Sequence, residues 1–365
     1  MICYDETQKV LVQYLSHTEV LVNKLLSEHF SGAAKVRVTT DLGFPHDVIR
    51  IAGGFATGAY ISWESQRPFI PVDTCVNVCS TSFFEIGEDI LNIFSDDYFD
   101  SVRNKLSNGI YISNFHRGNH FISYLQSRKT GKLYLLLHSS ANEFKDNFNG
   151  LYPVKGNWYF DKIKTYSDGQ TYIKYLENND AEMFYALAEG LYKFNEIRHE
   201  FIAQVILGGL KNVAAVQHYH HYGMPSANSI VMGSHILKNG EIAPILTLPG
   251  RDIYMVMFNS VKDKSLLVNE THFLTPHGWG KRHIGIPQIF VNTSSNEFTL
   301  DNQTYNIQFG TSLRAHPNLE LRDFGDTQDT AKANFFNYLE LLYNLKIVDE
   351  LQQIASWNKL GVRKW

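Results

Sequence analysis

Asn119-His120-Phe121-Ile122-Ser123-Tyr124-Leu125-Gln126-Ser127-Arg128-Lys129-Thr130-Gly131-Lys132-Leu133-Tyr134-Leu135-Leu136-Leu137-His138 carries the clearest local pattern in the chain. Two apolar and aromatic runs of strand length, Phe121–Leu125 and Leu133–Leu137, flank Arg128-Lys129-Thr130-Gly131, whose composition suits a tight turn. The segment therefore predicts an antiparallel hairpin. With the turn centred near Lys129, Gln126 faces Lys132 and His120 faces His138. Directly opposed residues hold their Cβ atoms roughly 4.5–5.5 Å apart on one face. Two imidazoles so placed could share one metal ion, or hold one ion each of a pair. A slip of one residue would put them on opposite faces.

Upstream, Val10, Leu11, Tyr14, Leu15, Val20, Leu21 and Leu25 have helical spacing, which predicts one or two amphipathic helices over residues 6–29. Residues 47–86 change to short β-like runs broken by Gly53-Gly54 and Gly58, and helical spacing returns from Asp89 to Leu106. Downstream, Ala181–Leu207 reads as the longest helix, closed by Gly208-Gly209. Val213–Tyr222 reads as a strand, Lys238-Asn239-Gly240-Glu241 as the turn of a second hairpin, and residues 329–356 as helix. The tail Lys359–Trp365 is basic. No repeat, low-complexity block or linker is visible, and strands and helices alternate without segregating. One α+β domain over residues 1–365 is expected, with sheets and hairpins at its centre and helices on its flanks.

The 365 residues are 44% hydrophobic and 19% charged, an ordinary globular balance. The 20 Tyr and 24 Phe favour a sheet-rich architecture. A formal net charge of −4 excludes a global basic field, so any nucleic-acid contact must be local or run through metal ions. The three cysteines, Cys3, Cys75 and Cys79, are too few for a disulfide framework and suit a reducing compartment. Met1–Glu6 has no signal-peptide pattern and no apolar run is long enough to span a bilayer, so a soluble, cytoplasmic, monomeric protein is expected.

Chemistry concentrates in three places. Asp73-Thr74-Cys75 offers a carboxylate and a thiolate, which with imidazoles make a site for Mn, Zn or Fe. The competing reading makes Cys75 and Cys79 small buried hydrophobes and Asp73 a turn cap. In His218-Tyr219-His220-His221 on a strand, His218 and His220 share a face while His221 points away. Pro276-His277-Gly278-Trp279-Gly280-Lys281-Arg282-His283 joins a histidine, two glycines and a basic pair. There the glycines could bring backbone N–H groups to an anion, the cations could neutralise phosphate, and His277 could attack phosphorus. An ordinary surface turn is the alternative.

Taken in order, these segments resemble the RtcB family of RNA-splicing ligases. Gly118-Asn119-His120-Phe121-Ile122 is similar to that family's GNHFIE segment, and Leu137-His138-Ser139 to the start of LHSGSRG. His220-His221-Tyr222 falls where the family has H-N-Y, and Pro249-Gly250 where it has a Pro-Gly turn. His277-Gly278-Trp279-Gly280-Lys281 resembles the HGAGR loop, and Leu360–Lys364 the C-terminal segment. The resemblance spans residues 48–365, leaving 1–47 as a divergent helical segment.

It implies a single RtcB-like domain around a metal-lined cleft. The implied reaction is an RNA ligation dependent on GTP and on one or two Mn²⁺ ions. RNA 3′-phosphate or 2′,3′-cyclic phosphate ends would be joined to 5′-hydroxyl ends through a guanylylated His277. Asp73, Cys75, His120, His138 and His220 are the implied metal ligands. Asn119, His221, Pro249, Gly250, Gly278, Gly280, Lys281 and Lys364 are the implied nucleotide contacts, with Lys364 on guanine. An activating protein partner is left open.

The chain departs from the pattern at several places. Cys75 stands one residue early for D-x-x-C, so it can serve only if a bulge re-routes the backbone. Ser123 replaces the Glu of NHFIE, and Ser140-Ala141-Asn142-Glu143 replaces Gly-Ser-Arg-Gly. Lys281 replaces an Arg and loses its bidentate geometry. Two alternatives therefore stand beside the ligase: an impaired relative that keeps metal or RNA-end binding, and a metal-dependent phosphohydrolase on the same scaffold.

Overall fold

The computed structural model describes residues 2–107, 115, 119–141, 150–169 and 171–365. It is a mixed α/β molecule. Its main sheet has eight antiparallel strands, labelled here β1 (Cys79–Ile86), β2 (Phe121–Ser127), β3 (Leu133–Ser140), β4 (Val213–His220), β5 (Glu241–Ile245), β6 (Ile253–Val261), β7 (Tyr343–Asn358) and β8 (Gly361–Lys364). They run in the order β5-β6-β7-β2-β3-β1-β4, with β8 on the far part of β7. A four-stranded sheet in the order Ala33–Gly43, Thr57–Glu64, Ser229–Met232, Tyr222–Ser226 lies beside it in sequence and space. The longer helices are α1 (Glu6–His29), α2 (Asp96–Ser107), α3 (Asn178–Leu207) and α4 (Gln328–Glu340).

Local chemistry accounts for most of these elements. Asp5 caps α1 by accepting from the Gln8 N–H, and Leu11, Leu15, Leu21, Val22, Leu25 and Leu26 bury one stripe of that helix. Gly208, at φ 68°, terminates α3 in the left-handed conformation that glycine adopts without strain. The main core gathers α1 and α3 with the four-stranded sheet, and a second core packs α4 against β5 and β6.

Three sequence expectations are corrected. The hairpin of β2 and β3 forms, but Ser127 N–H donates to Lys132 O, enclosing a four-residue turn centred between Lys129 and Thr130. The register is therefore offset by one, pairing Phe121 with His138 and Gln126 with Leu133. Residues 343–356, expected as part of a helix, instead belong to β7, which pairs with both β6 and β2. The helix formers Glu350-Leu351-Gln352-Gln353 favour helix locally, but a central place in the sheet overrides that preference. The turn at Asn239-Gly240 exists, yet the strands flanking it separate. Ser234–Lys238 pairs with His272–Pro276, whereas β5 pairs with β6. Among the described residues no helix is long and apolar enough to cross a membrane.

Candidate functional site

Strand alternation builds the site. Cys79 opens β1, His138 lies near the end of β3, and His221 follows β4 directly. Pairing of Ser80 with both Ser139 and His220 brings the three chain ends together. His138 Nε2 lies 3.4 Å from Cys79 Sγ and 3.3 Å from His221 Nε2. His120, just ahead of β2, places Nε2 4.0 Å from Cys79 Sγ and 3.3 Å from Ser140 Oγ. One thiol and three imidazoles thus converge in a buried pocket.

Burial, followed by the nearby His277, pushes the His138 imidazole down to about 3. The same causes hold His221 well below the ordinary histidine range. Both rings are therefore neutral at pH 7, as metal ligation requires. His221 Nδ1 is buried without a hydrogen-bond partner. Two ring nitrogens and a sulfur lie within 4.8 Å of one another, each able to offer a lone pair to a cation. The donor set fits a borderline-soft divalent metal.

The side chains gathered here differ from the ligand set expected from sequence. Cys79 occupies the thiol position. Cys75 sits in a left-handed turn at φ 48°, its side chain in the main core and its carbonyl accepting from Arg50 Nη2 at 2.8 Å. Asp73, in the same turn, is buried against Gly53, and neither of its oxygens has a partner. It stands apart from the histidine group, and burial pushes its carboxyl up to about 7. His221 replaces His220, whose Nε2 instead lies 3.0 Å from Glu196 Oε1 on the opposite face of the sheet. His120 and His138 do meet, with ring centroids 5.9 Å apart, although not as directly opposed residues.

His277 adjoins this group, its ring stacked on that of His221 at 4.7 Å. Its Nδ1 is 2.5 Å from Asp41 Oδ2 and 2.7 Å from Gly233 O. Both are acceptors, so Nδ1 carries the proton and Nε2 keeps the lone pair. Asp41 is fully buried and also accepts from Thr39 Oγ1. The glycines of this loop serve packing. Gly280 has φ 72°, and a Cβ there would come within 2.1 Å of Asp41 O, while Gly278 lies over Leu246 O.

Cys79, His120, His138, His221 and His277 all line one cavity of about 480 Å³. Its walls also carry Arg50, Lys281, Arg314 and Lys359, with Asp47 as the one acidic residue among the described lining. Burial, then Arg314 and Lys359, lower Lys281 to about 8, and burial, followed by Lys281 and Arg314, holds His46 far below its ordinary value. Converging like charges of this kind favour an anion.

Asn119, Pro249, Gly278, Gly280 and Lys281, expected as nucleotide contacts, line the cavity. Gly250 instead packs against the Trp365 indole, and Lys364 reaches toward Leu91 O at 3.5 Å, outside the cavity. Lys359 is the tail lysine at the wall. Gly118, Asn142 and Glu143 lie outside the described residues. Asp41 and Cys79 were missed because neither sits in a local motif; strand pairing brings in Cys79, and packing of the Ala33–Gly43 strand against His272–Pro276 brings in Asp41.

A second group, His283, Asp301 and His316, also brings ligand atoms together. His283 Nε2 lies 2.6 Å from Asp301 Oδ2, and His316 Nδ1 accepts from Asn318 N–H at 3.2 Å. That bond leaves the His316 proton on Nε2, which lies 3.9 Å from Asp301 Oδ2, so within the group only His283 hydrogen-bonds the carboxylate. Compared with known protein families and with curated proteins, the chain matches none.

Proposed function

We propose that this chain is an RtcB-like RNA ligase that joins a 3′-phosphate or 2′,3′-cyclic phosphate end to a 5′-hydroxyl through a nucleotidyl-histidine at His277. The observation that carries the reading is the pairing of His277 Nδ1 with buried Asp41 in the wall of a cationic cavity, which in the neutral ring leaves the Nε2 lone pair for attack. Asp41 would play the orienting part that a carboxylate plays for an imidazole base, holding the tautomer and offsetting positive charge on the ring. Nε2 attacks the α-phosphorus of GTP, an N–P bond forms, and pyrophosphate leaves. Cys79, His138 and His221 would hold the metal, with His120 beside them, manganese by resemblance and zinc equally by ligand type. When bound, it supplies positive charge for phosphate oxygens. Arg50, Lys281, Arg314 and Lys359 would hold the remaining phosphate charge.

One observation favours the impaired relative as second reading. The lysine expected on guanine lies outside the cavity, so selective GTP use rests on other groups. Incubation with Mn²⁺ and α-labelled GTP separates the two. Ligase chemistry gives an acid-labile, alkali-stable label on the protein that disappears in His277→Ala and falls at least about 10²-fold in Asp41→Ala, within the range of general-base assistance. Intact metal binding without any label would leave the impaired relative. Labelled GDP or GMP released into solution, with none on the protein, would favour the hydrolase.

A further inference from the structure

Behind the ligand cluster, on the opposite face of the same strands, lies a buried polar layer that the proposed reaction does not use. Helix α3 presents Asn195, Arg198 and His199 to the sheet, all buried, where its next turns present Ile202, Ala203 and Ile206. Apolar packing is what a helix on a sheet ordinarily supplies. The polar turn falls where β1, β3 and β4 end in Cys79, His138 and His221.

The hydrogen bonds of this layer have one consistent direction. Arg198 Nη2 donates to Ser139 Oγ at 2.6 Å, because a guanidinium has only donors. Ser139 Oγ then gives its proton to His199 Nε2 at 2.6 Å. The ring's proton is thereby on Nδ1, which donates to Ser82 Oγ at 2.6 Å. Ser82 donates to His218 Nδ1 at 2.7 Å, and His218 Nε2–H points to Glu200 Oε1 at 3.3 Å. Asn195 Nδ2 adds bonds to Ser80 Oγ at 2.6 Å and Ser139 O at 3.2 Å. Ser82, Ser139 and His218 belong to β1, β3 and β4 in turn, so His199 ties together the three strands that end in the ligands.

We propose that His199 is a positioning residue whose directed hydrogen-bond chain holds β1, β3 and β4 in the alignment that brings Cys79, His138 and His221 to one metal ion. The inference rests on the metal-centre reading. Outer-shell partners of metal ligands commonly change metal affinity about 10–100-fold. Here the effect passes through the strand backbone, since each ligand adjoins or follows a residue held from behind.

The test uses the full chain and Co²⁺, whose visible bands report ligand geometry and whose thiolate charge-transfer band reports Cys79. Four variants are compared at a temperature where each keeps the wild-type far-UV circular dichroism: Cys79→Ser, His199→Leu, Ser82→Ala and His199→Gln. The expected result is a charge-transfer band in wild type that is lost in Cys79→Ser. His199→Leu and Ser82→Ala should bind Co²⁺ at least 10-fold more weakly, with displaced bands. His199→Gln, whose amide retains a donor and an acceptor, should return affinity to within about threefold of wild type. Wild-type affinity and bands in both Ser82→Ala and His199→Leu overturn the positioning role while leaving the metal centre intact. Absence of a Cys79-dependent band in wild type overturns the metal centre, and the positioning role with it.

Discussion

Asp73 shows how burial alone can separate two readings of one residue. Its carboxyl holds a proton up to about 7, against an ordinary value of 3.8, because it is buried with both oxygens unpartnered. Between those values the folded chain keeps the proton and the unfolded chain releases it. Stability contributed by the neutral form is complete below about 3.8 and is lost as pH rises toward 7. From pH 5 to pH 7 the loss is about 2 kcal/mol. Urea unfolding of Asp73→Asn should therefore show a flatter pH dependence, with the variant gaining on wild type as pH rises. Its bound metal should be unchanged, whereas a ligand carboxylate would lose metal on the same substitution. The thiols divide similarly. Cys79→Ser should strip metal beyond the roughly 10–100-fold of an outer-shell change, and Cys75→Ser should leave elemental analysis at the wild-type value. Equal losses in the two variants would contradict the assignment of Cys79.

At the scale of the element, period-two alternation explains both what could be read in the sequence and what could not. That His218 and His220 share a face and His221 lies opposite follows from strand geometry alone. Which face meets a metal does not follow, because the answer depends on α3 covering one side. Resemblance to H-N-Y selected His220, while pairing across β1 places His221 with Cys79 and His138. Helix α1, helix α3 and the first hairpin were legible from periodicity, capping and turn residues. Strand β7 was not, since its helix-forming residues are held in place by two neighbouring strands. The loop after His277 was legible as glycine-dependent, and close packing of Gly280 on Asp41 is one physical reason for it. Gly280→Ala should cost about 2–4 kcal/mol from left-handed strain and overpacking on Asp41. Gly285→Ala, at φ 85° with open space around it, isolates the strain and should cost about 1 kcal/mol. Similar chemical-denaturation midpoints for the two variants would remove the packing role given to Gly280.

Across the whole molecule, a chain of net charge −4 concentrates Arg50, Lys281, Arg314 and Lys359 around one cavity whose described lining holds a single carboxylate. A local field of this kind is what an otherwise acidic protein requires to take a phosphate end, and it ties affinity to ionic strength. Binding of a short single-stranded RNA ending in a 3′-phosphate, followed by fluorescence anisotropy, should weaken with salt at a log–log slope of about −0.7 for each phosphate neutralised. Arg314→Ala and Lys359→Ala should each lower affinity and make that slope shallower by up to about 0.7. Affinity should also fall as pH passes about 8, where Lys281 loses its proton. The same RNA ending in a 3′-hydroxyl should bind more weakly, because it brings less charge to the cavity. Lys364→Ala is the decisive comparison, since the resemblance assigns Lys364 to the nucleotide while the fold points it at Leu91 O. It should leave RNA affinity, slope and pH dependence at wild-type values, and a loss as large as that of Lys359→Ala would move the phosphate site away from this cavity.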